Sequence, residues 1–331
     1  ARGGGKLDDA LEAAIEKRLG EPWDRPIGKG VGRIIVDESA RETYLTHLLQ
    51  GVTTPLNGMK IVVDCANGAA SFVAPETLRQ AGAEVIAIAN TPDGWNINDG
   101  VGSTHLDFLR AEVKKSGADV GIAHDGDADR CLAVDHQGNV IDGDFIMAIL
   151  ASSWKSEGRL KKDTVVGTVM SNLGFMKAME EAGIKVIATP VGDRYVLEKM
   201  LAENLTLGGE QSGHIINRQF ANTGDGILTA LQILQEMARS KKSISELASV
   251  MKRFPQVLIN VKDVAKENLA NSMAIADGVK KAESELGTSG RVLLRASGTE
   301  KLVRVMVEAS SDNLALKIAE ELAILVKAEL G

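Results

Sequence analysis

Ala81-Gly82-Ala83-Glu84-Val85-Ile86-Ala87 returns about a hundred residues later as Ala182-Gly183-Ile184-Lys185-Val186-Ile187-Ala188. Each stretch reads as a helix end, a glycine cap and a buried strand. Upstream of the first copy, Ile61-Val62-Val63 is a short apolar strand, Asn67-Gly68-Ala69-Ala70 a turn, and a helix runs on to Gln80. Upstream of the second, Val165-Val166 is the strand, Ser171-Asn172-Leu173-Gly174 the turn and Phe175 to Glu181 the helix. Strand, helix, strand is a parallel βαβ unit. Two copies predict two similar α/β domains with mixed or parallel sheets.

The flanks differ. Val257 to Val261, Arg291 to Arg295 and Leu302 to Glu308 read as strands, with helices over Asn268 to Leu286 and Asn313 to Leu330. A helix crossing over an antiparallel pair predicts a smaller α+β domain at the C-terminus. At the other end, Leu7 to Leu19 is an amphipathic helix with Leu11, Ile15 and Leu19 on one face. A connector from Gly20 to Gly32, a strand-like run from Arg33 to Val36 and a helix from about Glu38 to Gln50 follow. The expected division is 1–52 as a helical remnant of a further domain, 53–151 and 152–250 as α/β domains, and 251–331 as α+β.

A chain of 331 residues, 44% hydrophobic and 25% charged, has the balance of a globular protein with a sizeable core. Its 38 Lys and Arg against 45 Asp and Glu leave a net charge of −7. That charge argues against nucleic acid as a partner, and 3% aromatics leave few stacking platforms. Cys65 and Cys131 lie in apolar runs and read as buried thiols of a reducing cytoplasm. No apolar stretch reaches the ~18–20 residues of a membrane span. The start, Ala1-Arg2-Gly3-Gly4-Gly5-Lys6, is neither a signal peptide nor a Met start, so the chain is expected to begin inside a longer protein.

Chemistry concentrates in three loops. In Asp125-Gly126-Asp127-Ala128-Asp129-Arg130, three carboxylates at alternate positions can aim oxygens at one centre. Unpaired they repel, so an oxygen-liganded cation, Mg²⁺, Mn²⁺ or Ca²⁺, is expected on Asp125, Asp127 and Asp129. A calcium EF-hand is excluded, because Arg130 and His136 stand where it needs Gly and Glu. The alternative is a solvated acidic turn. The loop leaves a buried strand, Val120 to Ala123, at its C-terminal end, where α/β sheets build sites. In Gly208-Gly209-Glu210-Gln211-Ser212-Gly213-His214, Glu210 and Ser212 can bond ligand hydroxyls and His214 can move protons, unless this is an ordinary polar turn. In Arg295-Ala296-Ser297-Gly298-Thr299-Glu300, an arginine fork beside hydroxyls and turn N–H groups suits a phosphate, unless it is only a hairpin turn. Gly192-Asp193-Arg194-Tyr195 and Thr223-Gly224-Asp225-Gly226 are lesser candidates, with Arg194 able to face an anion.

These loops, in this order, resemble the α-D-phosphohexomutase superfamily. Asp125 to Arg130 is similar to its metal loop, Gly209 to His214 to its sugar-recognition loop, and Arg295 to Glu300 to its phosphate loop. Val63-Asp64-Cys65-Ala66-Asn67-Gly68-Ala69, Asn96-Ile97-Asn98, Val191 to Met200 and Thr223-Gly224-Asp225-Gly226 resemble the bacterial phosphoglucosamine mutases within it. Lys301 departs from the proline usual after Ser-Gly-Thr-Glu. Ser-His-Asn-Pro, the family's phosphoserine loop, is not in the sequence, and residues 1 to about 50 resemble only the tail of the domain that carries it.

The resemblance implies conversion of glucosamine 6-phosphate to glucosamine 1-phosphate through a phosphoserine and a 1,6-bisphosphate. It implies Mg²⁺ on the three aspartates, and Arg130 and His214 as catalytic residues. Glu210, Ser212 and Arg194 would bind the sugar phosphate, and Arg295, Ser297, Gly298 and Thr299 the phosphate that does not react. The expected partner is a small phosphosugar, with a homodimer allowed and neither nucleic acid nor membrane involved. Without the serine the chain alone is expected to be inactive. Alternatives are a phosphomannomutase or phosphoglucomutase, a non-catalytic module binding Mg²⁺ and a phosphosugar, and a D-x-D phosphatase, which leaves the second and third loops unexplained.

Overall fold

A computed structural model of the chain describes residues 6–37, 39–297 and 300–331. They form two compact units, Ala1–Met170 with Ala182–Val250, and Ser171–Glu181 with Met251–Gly331.

The first unit opens with α1 (Asp9–Leu19) and α2 (Ser39–Gln50). Its first half continues with β1 (Lys60–Asp64), α3 (Ala70–Gln80), β2 (Glu84–Ile88), α4 (Asp107–Ser116), β3 (Val120–Ala123), β4 (Leu132–Asp135) and β5 (Val140–Ile141). The sheet runs β2-β1-β3-β4-β5, parallel through its first three strands and antiparallel from β4 on. Central in it, β1 is covered on both faces, so Ile61, Val62 and Val63 are buried as one unbroken apolar run. Leu109 and Val113 of α4 pack on Val62, Ala123 and Val134.

The second half uses α5 (Gly143–Ser156), β6 (Thr164–Thr168), then, after α6 (Leu173–Glu181), β7 (Lys185–Thr189), α7 (Asp193–Glu203), β8 (Leu207–Gly209), β9 (Ile215–Asn217), α8 (Gly226–Ser240) and α9 (Ile244–Ala248). The sheet order is β7-β6-β8-β9, again three parallel strands and one antiparallel. The duplication read from the sequence is therefore a duplication of topology. β6, β7, β8 and β9 stand for β1, β2, β3 and β4. The acidic loop joins β3 to β4, and the Glu210–His214 loop joins β8 to β9, the equivalent place.

The second unit combines α6 with β10 (Gln256–Lys262), α10 (Met273–Leu286), β11 (Arg291–Ala296), β12 (Leu302–Glu308) and α11 (Asp312–Leu330). Its sheet has three strands, β10-β12-β11, with both neighbours antiparallel to β12. The expected strands thus make one sheet, and α10 connects its two edges. Val303, Val305 and Val307 of β12 meet Ile318, Leu322 and Val326 of α11 in the core. The helix expected from Asn268 starts only at Met273, because Ser272 caps it by accepting from Ile275 N at 3.3 Å. Residues 171–181 join this unit through Glu308, a buried carboxylate that accepts from Asn172 Nδ2 at 3.1 Å and Leu173 N at 2.9 Å. Arg291 Nε pairs with the same carboxylate at 2.7 Å.

The N-terminal expectations fare differently. The face of α1 made by Leu11, Ile15 and Leu19 is exposed. Arg33 to Val36 forms no strand, and Ile34, Ile35 and Val36 are 96%, 86% and 80% exposed. A β-branched run becomes a strand only where a sheet edge offers its backbone partners, and none of the described strands pairs with it. Leu45 and Leu48 of α2 are buried.

Candidate active site

The parallel strands of the first half deliver His124 and Asp125 at the end of β3. There Asp64, at the end of β1, accepts from Ala66 N and Gly102 N, both at 2.9 Å, and braces two neighbouring loops. Asp125, Asp127 and Asp129 place one oxygen each within 4.8 Å of one another. Arg130 sits beside them, its Nε 3.5 Å from Asp125 Oδ2 and 3.7 Å from Asp129 Oδ1. Burial first, and then the charges of Asp129 and Asp127, push the Asp125 carboxyl up to about 6. Asp129 Oδ1 is buried without a hydrogen-bond partner among the described residues. Crowded, partly desolvated carboxylates with an unused oxygen fit an oxygen-liganded divalent cation, as the sequence implied.

The second loop closes on the first. Buried His214 holds Asp129 Oδ2 from Nδ1 at 2.9 Å, and that hydrogen bond is the leading cause lowering the Asp129 carboxyl. Its Nε2 lies 3.7 Å from Asp193 Oδ2. His214, expected as a proton carrier, is thus joined to a carboxylate of the acidic triad. Glu210 Oε1 accepts from Gly192 N at 3.0 Å, which ties the sugar-loop carboxylate to the start of α7. Ser212 is exposed.

Arg194 is engaged by α1. Its guanidinium pairs with Asp9, with Glu12 at 2.8 Å, and donates to Leu7 O at 3.2 Å. Lys6 pairs with Asp193. An anion reaching Arg194 would have to displace those carboxylates.

Backbone bonds lock the two equivalent loops together. Arg130 and His214 form an isolated antiparallel bridge, and Cys131 N donates to Gly213 O at 3.0 Å. Gly143, first residue of α5, donates to Gln211 O at 3.0 Å within the second half, whereas Gly226, first residue of α8, donates to Ala128 O at 2.9 Å in the first. The start of α8 thus rests on the other half's loop. A Cβ at Gly143 would run into Glu210 O, and one at Gly226 into Arg130 O, so only glycine admits the approach. Asp142 and Asp225 cap these helices through Phe145 N and Leu228 N. Asp225 also accepts from Tyr44 OH at 2.9 Å, and burial, joined by that charge, raises the Tyr44 hydroxyl.

In the second unit Arg295 lies directly opposite Arg304 across β11 and β12. Like charges facing on one sheet face are unfavourable without an anion. Glu300 reaches Arg304 at 3.5 Å. Ser297 N donates to Leu302 O at 3.0 Å and Ser297 Oγ accepts from Glu300 N at 3.1 Å. Gly298 and Thr299 lie outside the described residues. Three participants had not been singled out from the sequence. Asp64 was quoted only inside a motif, Asp193 only beside Arg194, and Lys266, which reaches this loop, not at all; none carries a local signal.

Known proteins match this chain throughout. The phosphoglucomutase/phosphomannomutase family matches in three blocks: α/β/α domain II over residues 42–138, α/β/α domain III over 142–254 and the C-terminal domain over 258–325. The phosphoglucosamine mutase of Nocardioides sp. is 57% identical over 331 residues, covering 100% of this chain and 74% of its own. That of Streptomyces coelicolor is 55% identical over 336 residues, with 100% and 74% covered. Among solved structures, Aspergillus fumigatus N-acetylphosphoglucosamine mutase in complex with GlcNAc-6P and magnesium superposes with a TM-score of 0.71 at 21% identity, covering 87% of this chain and 70% of that one. A phosphoglucomutase/phosphomannomutase family protein from Burkholderia thailandensis gives 0.71 at 21% identity, over 87% of this chain and 64% of that one. These two share its fold. The chain thus spans about three-quarters of the length of the curated relatives. With its α/β domains, its C-terminal domain and its whole length accounted for, this chain belongs to the phosphoglucomutase/phosphomannomutase family, on the phosphoglucosamine mutase branch.

Proposed function

We propose that this chain serves the interconversion of glucosamine 6-phosphate and glucosamine 1-phosphate, with Mg²⁺ at the acidic triad. The observation that carries the reading is the joining of the triad to the sugar loop through His214 and Asp129, 2.9 Å apart. A phosphatase of the D-x-D type has no use for that union. The N-acetylphosphoglucosamine mutase with GlcNAc-6P and magnesium, and its variant with glucose 1,6-bisphosphate, support a phosphosugar ligand and this cation.

Phosphoryl transfer is mostly positioning and charge neutralisation. Asp125, Asp127 and Asp129 would hold Mg²⁺, which supplies Lewis acidity to a phosphoryl oxygen when bound. Arg130 stabilises the phosphoryl group in transfer. Glu210 and Ser212 read sugar hydroxyls. Arg295 and Ser297, with Gly298 and Thr299, hold the phosphate that stays in place, and Arg194 assists once α1 has released it.

Titration of the chain with the 6-phosphates of glucosamine, mannose and glucose, each with and without Mg²⁺, tests the reading. Glucosamine 6-phosphate should bind most tightly. Preference for mannose or glucose would assign one of the other hexose mutases. Asp127→Ala should remove Mg²⁺ binding while leaving the fold intact; Mg²⁺ affinity equal to the parent's would reject the metal loop.

A further inference from the structure

Helix α8 is buried without a break from Gly226 to Met237, yet one side of it is polar. Gln232, Gln235, Glu236 and Arg239 stand at i, i+3, i+4 and i+7, the spacing of a single helical stripe. A helix buried on all sides is expected to be apolar all round. A buried polar group costs stability unless it is hydrogen-bonded. The stripe therefore calls for partners.

Gln235 and Arg239 have them. Gln235 ties down the segment between α2 and β1. Its Oε1 accepts from Thr53 N at 2.7 Å and Thr54 N at 3.3 Å, and its Nε2 donates to Gly51 O at 2.9 Å. Arg239 pairs with Glu236 and, at 3.1 Å, with Glu157 just past α5; Glu157 pairs in turn with Arg159 at 2.8 Å. Gln232 has none. It is 6% exposed, and its side chain makes no hydrogen bond to a described residue. Glu236 uses one oxygen only. Oε2 accepts from Ser153 Oγ at 2.8 Å and from Arg239, and Oε1 is unpartnered among the described residues.

These unused groups are not sealed among neighbours. Both residues line one cavity of about 360 Å³, together with Thr54 and Phe220. That volume falls within the ~300–1,000 Å³ of small-molecule sites. The wall's charges cancel, since Glu157 and Glu236 are matched by Arg159 and Arg239, all of them already paired. What remains free is an amide that both donates and accepts, a carboxylate oxygen, and the Thr54 hydroxyl, which makes no hydrogen bond to a described residue. Ligand hydroxyls, each a donor and an acceptor, match that set, and Phe220 offers an apolar wall to their carbon skeleton. A phosphate, which mainly accepts, would face Glu236 Oε1.

We propose that this cavity binds an uncharged polyhydroxylated molecule, a sugar or polyol without phosphate, with Gln232 as its recognition residue. The cavity shares no residue with the acidic loop or with the Glu210–His214 loop, so the proposal stands apart from the mutase reading.

NMR titration of the full chain, Gln232→Leu and Thr54→Val with glucose, glycerol and glucose 6-phosphate tests it, read at the backbone amides of Thr54 and Phe220. Glucose or glycerol should give a saturable shift there, and the tighter of the two distinguishes a ring from an open polyol. Glucose 6-phosphate should bind at these amides more weakly than glucose. Gln232→Leu should weaken binding about 2–10-fold, as should Thr54→Val, which removes only the free hydroxyl. Because Gln232 has no partner to lose, Gln232→Leu should keep or raise the urea midpoint of unfolding. No saturable shift with glucose or glycerol would mean that the cavity holds water only. Tighter binding of the phosphate ester would reverse the ligand's charge class. A lower midpoint in Gln232→Leu would make the amide structural, and unchanged affinity in both variants would remove its recognition role; each of these results overturns the proposal.

Discussion

His214 Nδ1 and Asp129 Oδ2 stand 2.9 Å apart across 85 residues of chain, so a loop of the second α/β half holds a carboxylate of the first half's acidic triad. Removing such a partner of a metal ligand typically costs 10–100-fold in metal affinity. His214→Ala should therefore weaken Mn²⁺ binding by about 10–100-fold, read by the electron paramagnetic resonance of free Mn²⁺. His214→Asn, whose amide can replace the Nδ1 donor, should recover much of it. Unchanged affinity in the alanine variant would mean that Asp129 needs no orienting.

The start of α8 makes an unusual expectation. Gly226→Ala lies in the second half but should disturb the acidic loop of the first, because its Cβ would meet Arg130 O and, at 2.9 Å, Ala128 O. Gly143→Ala should disturb the sugar loop of its own half through Glu210 O and, at 3.0 Å, Gln211 O. Mn²⁺ affinity should thus fall in Gly226→Ala and hold in Gly143→Ala. The opposite pattern would show that the start of α8 does not hold the acidic loop.

Asp135 offers a pH test away from the metal. Burial raises its carboxyl, but hydrogen bonds from Asn139, Ser245 and Gln137 outweigh that and hold it below the usual value. A lowered folded-state pKa adds stability above the unfolded value of ~3.9, and that stability is lost as pH falls through the lowered one. Asp135→Asn should cost about 1–3 kcal/mol near neutrality, and the difference from the parent should shrink below pH ~4. Urea unfolding at several pH values reads both, and a pH-independent difference would assign the loss to packing.

Glu308 is buried and bonded to Arg291, Asn172 and Leu173 at once. Glu308→Ala strands the guanidinium and should cost about 3–5 kcal/mol. Hydrogen exchange at the Leu173 amide, which donates to Glu308, should rise first. A variant that leaves exchange at Leu173 slow would show that 171–181 is held by other contacts.

The sequence by itself determined the duplicated α/β pattern, because strand, turn, helix and glycine cap each follow from residues within a few positions of one another. It determined the acidic triad for the same reason: alternate carboxylates in six residues are local chemistry. Tertiary structure decided what those elements do to each other. His214 reads from its loop as able to move protons, and only the fold shows that β8 and β9 bring it to Asp129. Arg194 reads as an anion site until α1 places Asp9 and Glu12 against it. Gly226 reads as part of an ordinary polar loop until the acidic loop of the other half closes over it. Ile34, Ile35 and Val36 have strand chemistry but remain exposed, since a strand needs a partner edge that its own residues cannot supply. Lys266 sits among other charged residues in the sequence, and only the pairing of β10 and β11 with β12 carries it to the carbonyls of Ser297 and Glu300.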